Sequence, residues 1–235
     1  MNAKNRQIVF FIVEGPSDEA ALAAGLEYAY HKIDKNLRVA VVHGDITSEL
    51  DSKPDNIVKK VNSIVSRQCK LFGLKQSDIH FVYQLTDIDG VFIPDSNVVE
   101  EPNAKHPKYT DTSIECNNPR LIINRNHRKR ANLRILAKKN SINKIPYRLV
   151  FMSSSLDHVL YDRRNLTDKE KEDLSREFQD RYDDEPEKLL EFLCDSDFSL
   201  KNLEFFDSWR FIEQKLNSLK RYTNIRHAIL RPDTK

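Results

Sequence analysis

Cysteine is scarce and scattered. Cys69, Cys116 and Cys194 are odd in number and far apart, which argues against a disulfide framework. No Cys/His spacing has the pattern of a zinc site. Long apolar runs are missing too, since no stretch approaches the roughly 20 residues needed to span a bilayer. The N-terminal MNAKNRQIVFFIVEGPSDE has neither the apolar core nor the small-residue cleavage site of a signal peptide. The expectation is a cytoplasmic protein with no membrane partner. An excess of one charge is also lacking: 38 Lys and Arg face 36 Asp and Glu, a net charge of +2, so the total does not announce a nucleic-acid binder. There is no G-x-S-x-G elbow, so a Ser/His/Asp hydrolase is not supported.

The residues that are present alternate between two patterns. Ile8 to Val13 (IVFFIV) is a continuous apolar run rich in β-branched and aromatic residues, which predicts a strand buried on both faces. Glu14-Gly15-Pro16 stops it. Ser17 is then an N-cap candidate with Asp18 and Glu19 in the first helical turn, and Leu22, Leu26, Ala29 and Ile33 follow at helical spacing. Leu37 to Val42 predicts a second strand, Pro54 to Phe72 a helix, and Ile79 to Leu85 a third strand running into Thr86-Asp87-Ile88-Asp89-Gly90. Of the five glycines, Gly15, Gly44 and Gly90 each fall just after a predicted strand.

Val91 to Pro119, with Pro94, Pro102 and Pro107 and no clear period, reads as a long loop or irregular insertion. A basic helix is expected over Asn126 to Lys139, a fourth strand over Tyr147 to Met152, and a short helix over Leu156 to Tyr161. The T-x-x-E box at Thr167 to Glu170 opens a helix to about Tyr182. Further helices are expected from Pro186 to Cys194 and from Ser208 to Tyr222, the last with Trp209, Ile212, Leu216 and Leu219 facing inward. The order predicts an α/β fold: a mostly parallel, four-stranded, Rossmann-like sheet flanked by helices. Residues 1–160 would form the main domain, with an insertion at 91–125, and residues 161–235 a helical extension or subdomain packed on it.

In such sheets ligands bind outside the carboxyl ends of the strands. Glu14 ends the first predicted strand, and Asp87 and Asp89 end the third. Carboxylates gathered there repel one another unless a cation neutralises them. Mg²⁺ or Mn²⁺ suits an all-oxygen set, keeps its own waters, and can clamp a phosphate and activate a water. The plain alternative is that Glu14 and Asp18 cap a helix and that Asp87 to Gly90 is an Asx-type turn.

The pairing of I-V-E-G at one strand end with T-D-I-D-G at a later one resembles the Toprim domain over about residues 6 to 160. The resemblance implies that Asp87 and Asp89 hold Mg²⁺ and that Glu14 is a metal ligand or a general acid/base. The V-E-G-x-x-D form (Val13, Glu14, Gly15, Asp18) is closest to the OLD-type and antiphage-defence Toprim nucleases, in which an acid at the Asp18 position also joins the metal. Gly90-Val91-Phe92 departs from the arginine and acid that follow D-x-D in topoisomerases. No tyrosine-bearing topoisomerase domain, primase zinc module or ATPase domain is present in the 235 residues, which favours a stand-alone or partner-dependent nuclease.

Other residues extend the set. Asp157 and His158 follow the fourth strand and are placed to touch metal or phosphate, although Ser155 with an acid in the first turn is also an ordinary helix start. His43 and Asp45 follow the second strand, Asp45 as an outer ligand or a turn residue. The basic run, with Arg125, Arg128, Lys129, Arg130 and Arg134, reads as a phosphate-contacting face or a solvated helix. The expectation is therefore a Mg²⁺-dependent nuclease acting on DNA or RNA. Through the resemblance it would be an antiphage effector working with a partner ATPase, with room for self-association as a homodimer. A Toprim-like scaffold that binds a protein or nucleic acid without cutting is the alternative, and a nucleotide phosphohydrolase is a third reading.

Overall fold

The computed structural model describes residues 7–44 and 46–230. In chain order the elements are β1 (Gln7–Val13), α1 (Pro16–Ile33), β2 (Leu37–His43), α2 (Ile57–Leu71), β3 (Ile79–Asp87), β4 (Val98–Glu100), β5 (Lys108–Tyr109) and β6 (Ile114–Cys116). They continue with α3 (Pro119–Leu136), β7 (Ser141–Ile142), β8 (Ile145–Ser153), α4 (Leu156–Tyr161), α5 (Asp168–Tyr182), α6 (Pro186–Asp195), α7 (Phe205–Ile212), β9 (Tyr222–Thr223) and α8 (Arg226–Ile229). Among the described residues no helix is long and apolar enough to cross a membrane.

The four long strands lie in the order β2-β1-β3-β8 and are all parallel. The apolar run of β1 serves two cores at once. Phe10 and Ile12 pack with α2 on one face, while Val9, Phe11 and Val13 pack with α1 on the other. That split follows from the chain path. The connection through α1 moves outward to β2, and the one through α2 returns past β1 to β3, so right-handed crossovers put the two helices on opposite faces. The order therefore reverses between β1 and β3, which opens a crevice at their carboxyl ends.

Four features differ from the sequence expectation. The sheet is mixed and six-stranded, because β7 and β9 add short antiparallel pieces to β8. Gly15, not Ser17, caps α1, and Pro16 takes its first position. The segment 91–125 is less irregular than expected: β4, β6 and β5 form a small three-stranded sheet, and α3 already begins at Pro119, capped by the Asn118 side chain. The expected helix from Ser208 to Tyr222 stops at Ile212. Lys215 adopts a left-handed backbone (φ 50°), and the chain then returns as β9 along the end of β8. Trp209 does face inward, its ring edge-on to Phe151 at 4.9 Å.

The residues after 161 share the cores of the sheet rather than building their own. Phe178, Leu189 and Leu193 pack with β1 and α1, and Trp209 and Ile212 join the opposite face.

Candidate metal centre

The carboxyl edge of β1 and β3 gathers the acids. Glu14 Oε1 accepts hydrogen bonds from the Asp87 backbone N–H and the Thr86 hydroxyl, both at 3.0 Å. Asp87 in turn accepts at Oδ1 from the Leu156 N–H at 2.8 Å, which ties β3 to the start of α4. The Asp18 carboxylate reaches back from α1 and accepts from the N–H groups of Glu14 and Gly15 at 3.1 and 3.0 Å. It thus orders the turn that carries Glu14. Asp89 lies two residues beyond Asp87 in a left-handed conformation (φ 51°), followed by Gly90 (φ 64°). Its own N–H donates to Ser154 O at 2.7 Å, which holds the turn against the end of β8.

One cation stands among these acids. Lys129 of α3 is completely buried, with its Nζ 2.6 Å from Asp89 Oδ2 and 3.6 Å from Glu14 Oε1. A buried ammonium is tolerated only with such partners. The consequence divides the two aspartates. Burial pushes the Asp87 carboxyl well above the usual carboxylate range, and the charges of Glu14, Asp89 and Asp18 push the same way. Burial also acts on Asp89, but there the Lys129 ammonium and Arg125 guanidinium outweigh it and hold the carboxyl below the usual range. The Asp18 carboxyl is raised by burial, opposed by the Gly15 N–H and assisted by the charge of Asp157.

The expected members of the site divide into two groups. Glu14, Asp18, Asp87 and Asp89 come together. Asp157 faces the same cleft as Asp87 and pairs with Lys171 at 3.2 Å. His158 does not belong to it. The ring is buried, Nδ1 accepts from the Ser154 N–H at 3.4 Å, and burial followed by the charge of Arg164 lowers its pKa to about 4. It serves the local packing of α4. His43 pairs with Glu19 at 2.6 Å at the end of β2, and Asp45 lies outside the described residues.

The cations of the basic helix α3 named above are directed mostly inward. Lys129 is the counter-ion just described. Arg125 donates to Asp89 O at 3.0 Å and to the Tyr109 hydroxyl at 2.7 Å. Arg130 staples the segment after the D-x-D by donating to Val91 O and Ile93 O, and Arg128 donates to Ser48 O. Only Arg134 of the five is exposed, and it is paired with Glu213 at 2.6 Å. These residues therefore hold the acidic turn and its neighbouring loops. Most of their donors are directed at carbonyls and carboxylates, while Arg128 Nε is buried without a hydrogen-bond partner.

The sequence reading missed the cleft in front of the acids. It measures about 850 Å³ and has Asp87 and Asp89 on its floor. One wall is the segment around β5, with Lys105 and Lys108. The other is the start of α4 and α5, with Asp157 and Lys171. The Lys105-His106-Pro107-Lys108 cluster was the available signal for it.

The donor set is entirely oxygen, which suits Mg²⁺ or Mn²⁺. Among the described residues, no three Asp, Glu, His or Cys side chains stand close enough together to enclose an ion as placed.

No family model, curated protein or solved structure matches the chain.

Proposed function

We propose that the protein is a metal-dependent phosphodiesterase of the Toprim type, a nuclease acting on DNA or RNA. The observation that carries this reading is the joining of Glu14 to Asp87 at the reversal point of the sheet, with Asp89 and Asp18 beside them. Asp87 and Asp89, with Glu14, would hold the ion, and Asp18 would fix the Glu14 turn. A bound divalent ion supplies a Lewis acid for a phosphate oxygen and lowers the pKa of its water. Of the chain's own groups, Glu14, which accepts from the Asp87 N–H and the Thr86 hydroxyl, would bind the ion or manage a proton, as the resemblance implies. A role as an antiphage effector with a partner ATPase rests on the sequence resemblance alone.

The test is cleavage of labelled DNA and RNA in Mg²⁺ or Mn²⁺ by the wild type and by Glu14→Gln and Asp87→Asn. Each variant should lose activity by a factor of 100 or more, roughly the contribution of a metal-held nucleophile or proton-transfer group. Full activity in both would remove the assignment.

A specific observation favours a second reading. Lys129 already neutralises Asp89 and approaches Glu14, as an internal cation would in a scaffold that binds a partner without cutting. That reading predicts no divalent-ion binding at the acids and no cleavage.

A further inference from the structure

The cleft has a construction that bears on what can enter it. The segment from β4 to β6 forms a strap that leaves the sheet after the D-x-D turn and crosses to the loop between α4 and α5. It is anchored at its base by a small apolar cluster of Ile93, Val98, Ile114, Cys116 and Leu219. At its far side it is tied to the opposite wall. The Asn165 side chain pairs with the backbone of Tyr109 as a neighbouring strand would, accepting from the N–H at 2.8 Å and donating to the carbonyl at 3.0 Å. Arg164 bonds Asp111 at 2.6 Å next to it. The acids therefore lie on the floor of a slot whose two walls are fastened together.

The charges of the walls are not equivalent. Arg164 and Lys171 are paired with Asp111 and Asp157. Lys105 and Lys108 on the strap are exposed, line the cleft, and have no ion-pair partner among the described residues. Two free ammonium groups thus face the slot, while Lys129 and Arg125 of α3 are engaged with Asp89.

We propose that this slot holds one unpaired nucleic-acid strand, with its phosphates on Lys105 and Lys108, so that the protein acts on single strands or strand ends and not on intact duplex. The proposal rests on the nuclease reading of the acidic floor. A double helix carries its phosphates on outer ridges with the paired strand fixed beside them, so it cannot thread one strand between tied walls, whereas enzymes that reach into such slots take single-stranded or extruded nucleotides. A cleft of about 850 Å³ falls within the range of roughly 300–1,000 Å³ that encloses a small ligand, which suits a few nucleotides and not a duplex face. The free lysines supply the sequence-independent contact that single-strand binding uses.

The experiment is fluorescence anisotropy on the full chain in Ca²⁺, with a short labelled single strand and a blunt duplex of equal length. The single strand should bind at least about tenfold more tightly. Lys105→Glu/Lys108→Glu should weaken it about tenfold or more, and Lys105→Gln/Lys108→Gln should reduce the slope of log affinity against log salt by about 1.4, or roughly 0.7 per phosphate contact. The charge-matched control Lys32→Glu/Lys35→Glu, at the far end of α1, should stay within about twofold of wild type. Equal binding of duplex and single strand, strap variants indistinguishable from the control, or displacement by a mononucleotide as effective as the oligomer would each overturn the proposal. Strap-dependent single-strand binding with no metal-dependent cutting would uphold the single-strand slot and overturn the nuclease reading on which its action rests.

Discussion

At the scale of single residues, Lys129 has the sharpest consequence. Its ammonium is fully buried and compensates Asp89 directly and Glu14 at slightly longer range. Removing one partner of a buried pair leaves the other charge uncompensated, which costs about 3–5 kcal/mol. Lys129→Met, which keeps most of the volume, should lose stability by that amount in chemical denaturation. Adding Asp89→Asn should restore much of it, because the two changes are coupled. A loss below about 1 kcal/mol would show that the pair is not the internal bond described. His158 gives a second prediction. Its folded pKa is lowered to about 4 from an ordinary 6.5, so the folded state disfavours the proton. The stability it contributes is complete above pH 6.5 and is lost as pH falls towards 4, since the unfolded chain binds the proton first. His158→Gln should flatten the decline in melting temperature between pH 7 and 5. His227, also lowered by burial, leaves a residual slope of the same sign. An identical slope in the variant would contradict the assignment.

At the scale of elements, the turn after β3 decides where the acids point. Gly90 has φ 64°, and a Cβ there would stand 2.6 Å from Leu219 Cδ2 and 3.2 Å from Ile114 Cδ1. Gly90→Ala should therefore cost about 1–2 kcal/mol for the left-handed backbone, with the displacement of Leu219 added to it. Because Leu219 belongs to the base of the strap, faster amide exchange should appear at Ile114 to Cys116. Unchanged stability and exchange would show that the turn does not support the strap.

The same elements show what was legible beforehand. β1, β3 and α4 could be read because apolar runs and a capping serine are local signals. The positions of Glu14, Asp87 and Asp89 followed directly from where those strands end. The strap could not be read, since strands of two or three residues are too short to show a period of two. The end of α7 was overrun because Leu216 and Leu219 continue the helical spacing although the chain turns at Lys215. The basic run was legible as charge but not as direction. Which way Lys129 and Arg130 face depends on the docking of α3 against α2, β4 and β6, a tertiary fact that no local pattern encodes.

At the scale of the molecule, two cores on either side of one mixed sheet support the carboxyl edge, and the C-terminal segment reinforces it. The Asn224 side chain accepts from the Phe151 N–H at 2.8 Å, and the Thr223 hydroxyl donates to Phe151 O at 2.7 Å, so β8 is fixed beside the strand that ends in Asp87. A frame of this kind keeps like charges close together, at a cost that a cation relieves. A bound divalent ion should thus stabilise the whole fold by mass action, not only fill its site.

Calorimetric titration of the intact protein with Mn²⁺ tests the central claim most directly. The account predicts one saturable binding event in the wild type, accompanied by a rise in melting temperature, with both lost in Asp87→Asn. A wild type that takes up no ion, or an Asp87→Asn variant that binds it equally well, would contradict the account.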